Sequence, residues 1–371
     1  MKHKPMPILL SILLILAVLG STLLFSLSPV FANPVCGATI TTNTTLTANI
    51  GPCSGNGLII GANGITLNCA GHTITATTGN TNEGITVKGQ TKVTVENCKV
   101  TGFYVGIDLY FSSTSNTLTG NTANKNAYYG FSLSGSSSSN NILTRNTANN
   151  NAYYGFYLSG SSNNILTKNT ANGNTLIGFS LSFSSSNTLS GNTANSNALA
   201  GFYLTGSCSE NRFTGNTANN DKNFGFALYG GSSNTLTRNT ANHNVDGFFF
   251  SDSSSNSLTG NTANKNDRGF HLYGSSSNTL TDNTASYNDA DGFLLEASSS
   301  SNTLTKNTAN SNYWGYYDYT VSTSVGVPHW DTANSYGTTK AKLSTTGDTG
   351  TGNGFALAGG NADIATATSP F

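Results

Sequence analysis

Three residues in the second half of the chain have types and spacing suited to chemistry. Asp246, Arg268 and Asp291 each stand two residues before the Phe of a recurring Gly-Phe phrase, at Phe248, Phe270 and Phe293. If that phrase marks equivalent strands, the three form one column that reads acid, Arg, acid. Two carboxylates flanking a glycosidic bond supply the acid and the base of its hydrolysis. An Arg between carboxylates could instead neutralise a uronic acid. Asp267 and Asp289 lie beside the column, and His271 is expected to project outward near it. The bland alternative is a solvated ladder in which Arg268 offsets two Asp. Exposed pairs of that kind contribute about 0–1 kcal/mol each, and the ladder is the favoured reading.

Aromatic residues form a second candidate. Tyr128, Tyr129, Tyr153 and Tyr154 make two adjacent pairs in corresponding turns. Tyr157, Tyr203, Phe249, Tyr273 and Tyr317 are read into the outward slot between the Phe and the Leu of a Gly-Phe-x-Leu phrase. Rows of exposed rings suit the flat apolar faces of sugars, and Tyr adds a polar tip. Strand propensity alone would also place Tyr on a sheet surface. A third candidate is the near-regular grid of Thr117, Thr119, Thr235, Thr237, Thr279, Thr281, Thr303 and Thr305, an arrangement that could order ice. Ile142, Ile165 and Arg212 interrupt it, and β-propensity explains the threonines.

These candidates need elements to hold them, and the repeat supplies them. Asn116-Thr-Leu-Thr-Gly-Asn-Thr-Ala123 recurs with variations from Asn141, Asn164, Asn187, Asn211, Asn234, Asn256, Asn278 and Asn302, in steps of 22 to 25 residues. The Gly-Phe-x-Leu phrase keeps step with it from Phe131 to Phe293. Apolar residues two apart lie on one face of a strand. Gly, Asn and Ser clusters separate the strands as turns. No 3.6-residue stripe appears, and the repeat is rich in poor helix formers. The expectation is an all-β chain, a right-handed single-stranded parallel β-helix with coils of about 22–25 residues. Stacking would then turn the Phe series, the Leu118 series and the Asn121 series into three columns, the last an amide ladder at a bend.

Composition limits the function. The leader read over residues 1–32 has Lys2 and Lys4, an apolar run from Ile8 to Leu27 and Val30-Phe31-Ala32, as a signal peptide or an N-terminal anchor. Beyond it 14 basic residues face 16 acidic ones, with no basic stripe for nucleic acid. No membrane contact is expected apart from that possible anchor. Cys36 and Cys53 lie close together, and in an exported protein they would close an end cap as a disulfide. Cys69 and Cys98 are either buried thiols or a second bridge, and Cys208 is the odd one out in a Ser-rich turn.

Ile65-Thr-Leu-Asn-Cys-Ala-Gly-His-Thr-Ile74, Val93-Thr-Val-Glu-Asn-Cys98, Gly106-Ile-Asp-Leu109 and the tandem Asn-Thr-Leu-Thr-x-Asn coils resemble the NosD-type right-handed parallel β-helix repeat proteins. That group shares its repeat with carbohydrate-binding and sugar-hydrolysing β-helices. The resemblance covers roughly residues 36–317 and implies the fold more than any activity. Copper binding is attached to the family label. It is not carried over, because Met1 and Met6 both fall in the leader and His72, His243, His271 and His329 are scattered. No catalytic motif of pectinases, pectate lyases or alginate epimerases is found.

The organisation expected is a cap over 33–63, repeats over 64–317, and a degenerate coil, cap and tail over 318–371. The function expected is a non-catalytic cell-surface or extracellular module that binds polysaccharide through Tyr128, Tyr129, Tyr153, Tyr154, Tyr157 and Tyr203. The alternatives are a polysaccharide lyase, hydrolase or epimerase using Asp246, Arg268 and Asp291, and a plain solenoid spacer. No cofactor is expected, copper is not supported by the ligand content, and calcium is left open.

Overall fold

The computed structural model describes residues 32–135, 138–319 and 340–342. All but the last residue of the leader read over 1–32, and most of the segment 318–371, lie outside these residues. Among the described residues every regular element is a strand, and all strand pairs are parallel.

The chain winds as a right-handed parallel β-helix with three faces. A 13-stranded long sheet takes the Gly-Phe-x-Leu strands, each six residues long from Glu83–Lys88 onward. A 12-stranded sheet takes the Thr-Leu-Thr strands. The third face has a four-stranded and a six-stranded section, joined through single bridges along Thr122, Thr147, Thr170, Thr193 and Thr217. Within the segment read as the cap, Ala38–Ile40 and Leu58–Ile60 already pair in the long sheet. Disulfides join Cys36 to Cys53 and Cys69 to Cys98.

The Phe column is the core. From Phe131 to Phe293 successive rings lie 4.6–4.9 Å apart with interplanar angles of 3–7°. All eight rings are fully buried. The spacing is that of the backbone ladder, about 4.8 Å, so side-chain stacking and strand pairing reinforce one another. The Leu118 column packs behind it, with Phe213 standing edge-on to Phe202 at 5.9 Å.

Asn ladders hold the bends. The Asn121 ladder is accompanied by two more, through Asn116 and through Asn126. In each, a buried side-chain oxygen accepts from the backbone N–H of the coil below, as Asn169 Oδ1 does from Asn146 N at 2.9 Å. The side-chain amide donates to the next Asn oxygen and to a carbonyl of the coil below, as Asn169 Nδ2 does to Asn192 Oδ1 and Leu143 O. A buried amide satisfied this way bears no desolvation penalty. A Ser ladder runs through Ser161, Ser184, Ser253 and Ser275. Cys208 is a member of it: its Sγ lies 3.3 Å from Ser184 N and 3.2 Å from Thr205 O.

The Gly before each Phe is a matter of space. A Cβ on Gly178 would come within 2.7 Å of the Ala194 Cβ and 2.7 Å of the Gly201 carbonyl oxygen. The backbone of the long sheet and the Ala column of the third face approach that closely. Gly178→Ala is therefore expected to cost about 1–3 kcal/mol through overpacking. A urea midpoint indistinguishable from wild type would refute the close-approach argument.

The register corrects one sequence reading. His271 lies opposite Phe249, and Tyr273 lies opposite Ser251. The slot between Phe and Leu therefore holds His271, and Tyr273 occupies the next outward position, half-exposed.

Candidate functional site

The outer face of the long sheet presents three columns, one from each outward position of its six-residue strands. Charged and aromatic groups collect on it in separate clusters.

The tyrosine cluster covers three coils. Tyr104 stacks on Tyr128 at 4.7 Å and 10°, and Tyr129 stacks on Tyr154 at 5.2 Å and 11°. Tyr128 meets Tyr153 at 4.1 Å, and Tyr157 packs against both Tyr129 and Tyr154. Tyr104 and Tyr153 are 37% and 39% exposed, so the cluster is open to solvent along one edge. Tyr129 and Tyr154 head strands, while Tyr128 and Tyr153 lie in the turns before them. Tyr203 stands apart, 5.2 Å from Tyr229. The sequence reading missed Tyr104, whose coil lacks the Tyr-Tyr-Gly-Phe phrase.

The acid–base cluster lies toward the C-terminal end. Asp246 and Arg268 are direct register partners, and Asp291 heads the same column one coil on. Arg268 Nε is 3.5 Å from Asp246 Oδ1, and its second terminal nitrogen is 3.5 Å from Asp267. His271 lies between two carboxylates. Its Nδ1 is 3.4 Å from Asp246 Oδ2 and its Nε2 is 2.9 Å from Glu296 Oε1. Although it stands on the outward face of the sheet, His271 is only 4% exposed. Glu296 was not anticipated: it occupies the third outward column, and only the register brings it to His271.

Burial sets the proton affinities here. Desolvation works against charge on His271, but hydrogen bonds to Asp246 and Glu296 outweigh it and raise its affinity for a proton. The same hydrogen bond to His271 holds Glu296 below the ordinary carboxylate range. Desolvation pushes Asp291 up to about 7, against the opposing charges of Arg268 and His271. Its Oδ1 is buried without a hydrogen-bond partner. A carboxyl poised near neutrality beside an imidazole of raised proton affinity and an arginine can exchange a proton with a bound group. A second raised acid, Asp108, lies in the middle column eight coils before Asp291. Burial lifts it to about 6, while the Ser132 hydroxyl opposes the rise.

The sequence pattern of NosD, described as a periplasmic copper-binding protein, matches residues 30–227 and 211–336. The chain belongs to the NosD family. No curated protein matches it. The fold of this NosD-family chain is similar to that of a mutant form of the periplasmic alginate epimerase AlgG, with TM-score 0.63 and 14% identity over 77% of this chain and 76% of that one. It is similar to the A-module of the Azotobacter vinelandii mannuronan C-5 epimerase AlgE6, with TM-score 0.57 and 13% identity over 83% and 89%. It is also similar to the catalytic domain of a GH87 α-1,3-glucanase in complex with tetrasaccharides, with TM-score 0.50 and 14% identity over 82% and 63%. At such identities the likeness is one of fold.

The copper in the family description does not fit the donors among the described residues of this NosD-family chain. Copper sites draw on thiolate, thioether and imidazole. Both methionines precede residue 7. Four cysteines are in disulfides, and Cys208 is buried in its Ser ladder. Among the described residues no three His, Cys, Asp or Glu side chains come together as metal ligands. The two disulfides suit an oxidising compartment.

Proposed function

We propose that this NosD-family protein is exported and binds polysaccharide along the outer face of its long sheet. The observation that carries the reading is the cluster of Tyr104, Tyr128, Tyr129, Tyr153, Tyr154 and Tyr157, stacked along the solenoid axis and open on one edge. Stacked tyrosines offer flat apolar faces with hydroxyl tips, the surface that sugar rings require. Fold neighbours that include alginate epimerases and a glucanase are consistent with it. The test is retention of the purified protein on immobilised plant, algal and microbial polysaccharides. Replacing Tyr153 and Tyr154 together by Ala should reduce retention about tenfold or more, as loss of aromatic anchors does. Unchanged retention would remove the tyrosine face from the binding site.

A second reading rests on Asp291. Its elevated proton affinity and unpartnered oxygen, beside Arg268 and His271, are suited to acid–base cleavage or epimerisation of a bound glycan. Release of sugar by the wild type, abolished in Asp291→Asn with retention intact, would make the protein an enzyme. Neither retention nor release would leave a structural solenoid.

A further inference from the structure

Phe111 and Phe183 are strained and exposed at the same time. Each follows a long-sheet strand, Val105–Tyr110 or Ile177–Ser182, and each adopts positive φ, 51° and 48°. Gly89, Gly135, Gly160, Gly206, Gly230 and Gly274 take this position in six other coils and the smaller Asp252 and Ala297 in two more, all with positive φ. A bulky side chain is unfavourable in the left-handed region. Burial does not compensate for it, since Phe111 is 59% and Phe183 71% exposed. Phe183 lies over Gly206, where a Cβ would meet its ring at 2.8 Å. Lys88 Nζ stands 5.2 Å from the Phe111 ring centroid. Strain kept at a solvent-facing residue is found at sites that bind.

The surface between the two rings has a definite chemistry. Three coil steps separate them, roughly 14 Å at the spacing of stacked strands. At the intervening coils the edge falls away to Gly135 and Gly160, with no atom near a Cβ built on Gly160. The outer column beside this notch is Ser134, Ser159 and Ser182, and Tyr157 rises behind it. None of the strands Tyr129–Ser134, Tyr154–Ser159 and Ile177–Ser182 contains a charged residue. Apart from Lys88 beside Phe111, these strands offer a polyanion little to replace its hydration. A neutral sugar strand would find hydroxyl partners and an aromatic face at each end.

We propose that the notch between Phe111 and Phe183 is a subsite for an uncharged oligosaccharide lying along the solenoid axis, stacked on both phenyl rings and hydrogen-bonded to the serine column. The assignment rests on the polysaccharide-binding reading and adds the substrate class and the end posts.

The test uses the full chain and three variants: Phe111→Gly, Phe183→Gly, and the Tyr153→Ala plus Tyr154→Ala double variant. Calorimetric titration with cellohexaose, laminarihexaose and an oligogalacturonate hexamer reads affinity, and thermal melting reads stability. Each Phe→Gly variant should bind the neutral hexasaccharide about tenfold more weakly while melting at a higher temperature, because Gly relieves the left-handed strain. A lower melting temperature would make the phenylalanines structural and overturn the subsite. Preference for oligogalacturonate would overturn its neutral character. Full affinity in the Phe variants with loss in the tyrosine variant would sink the notch and leave the wider reading standing. No binding of any glycan to the wild type would sink both.

Discussion

Asp221→Asn should stabilise the protein at neutral pH and leave it nearly unchanged near pH 4. Asp221 takes the place of an Asn in the ladder that runs through Asn126, Asn151, Asn174, Asn197, Asn244, Asn266, Asn288 and Asn312. Its Oδ1 does what an Asn oxygen would, accepting from Asn197 N at 2.7 Å and from Asn197 Nδ2 at 3.0 Å. Its Oδ2 stands where the other rungs have an NH2 group, and it is buried with no partner. In the next rungs that NH2 group donates to a carbonyl of the coil below, as Asn197 does to Ala171 and Asn244 does to Ala218. Only a protonated Asp221 can donate in the same way.

Burial accordingly raises the Asp221 carboxyl from its ordinary 3.8 to about 8, against the opposing hydrogen bonds from Asn197. The folded state binds the proton more tightly than the unfolded chain does. Unfolding at neutral pH releases it, so stability falls as pH rises from about 4 to about 8 and then levels off. At 1.36 kcal/mol per unit, the loss at pH 7 is about 4 kcal/mol. Asn restores the missing donor and does not titrate. The expected result is a gain of about 4 kcal/mol at pH 7 in urea unfolding, shrinking to within about 1 kcal/mol near pH 4. Asp108 and Asp291 carry slopes of the same sign, but the difference between variant and wild type cancels them. An equal gain at both pH values would assign the effect to packing, and a loss at pH 7 would show that the buried charge is useful.

The ladder also explains what could and could not be read from the sequence. Fold, coil length and the Phe, Leu and Asn121 columns follow from phrases repeated in phase, because stacking in register forces like residues onto like. The Asn116 and Asn126 ladders are written in the same phrases, and only the Asn121 one was picked out. Their function depends on side-chain bonds between coils, which periodicity alone does not specify. Cys208 read as the odd cysteine in a Ser-rich turn and Asp221 drew no reading, yet both are substituted rungs.

The candidate sites divide in the same way. The column of Asp246, Arg268 and Asp291 was legible because it lies within one repeated position. Glu296 was not, because it belongs to a different column and meets His271 across the pleat. The burial of His271 was not legible for a related reason. Outward on this sheet does not mean exposed, since neighbouring coils crowd each side chain from above and below. Phe111 and Phe183 carry no repeat signal at all. They stand out only when their φ values are set beside the glycines and small residues that hold this position in other coils.

Phe202→Ala should be the most damaging of the simple truncations in the core. Phe202 is fully buried, with Phe179 4.9 Å away on one face, Phe226 4.6 Å away on the other, and Phe213 edge-on. Truncation removes the transfer energy of the ring and leaves a void, about 3–5 kcal/mol together. The two lost ring pairs add about 0.5–1.5 kcal/mol each. In a globular core neighbouring elements could settle into part of the space. Here the backbone ladders on either side fix the coil spacing, so the void cannot close. Because each coil contacts only its neighbours, stability is close to a sum of coil and interface terms. A lesion at the middle of the stack weakens two interfaces at once, and the melt should split into two transitions as the halves uncouple. The cavity left between Phe179 and Phe226 would be dry and walled by aromatic rings, the kind that takes up benzene. Millimolar benzene should therefore recover part of the lost melting temperature in Phe202→Ala and do nothing to the wild type. A single transition with a loss below about 1 kcal/mol would mean that the ladders, and not the phenyl stack, carry the coupling between coils.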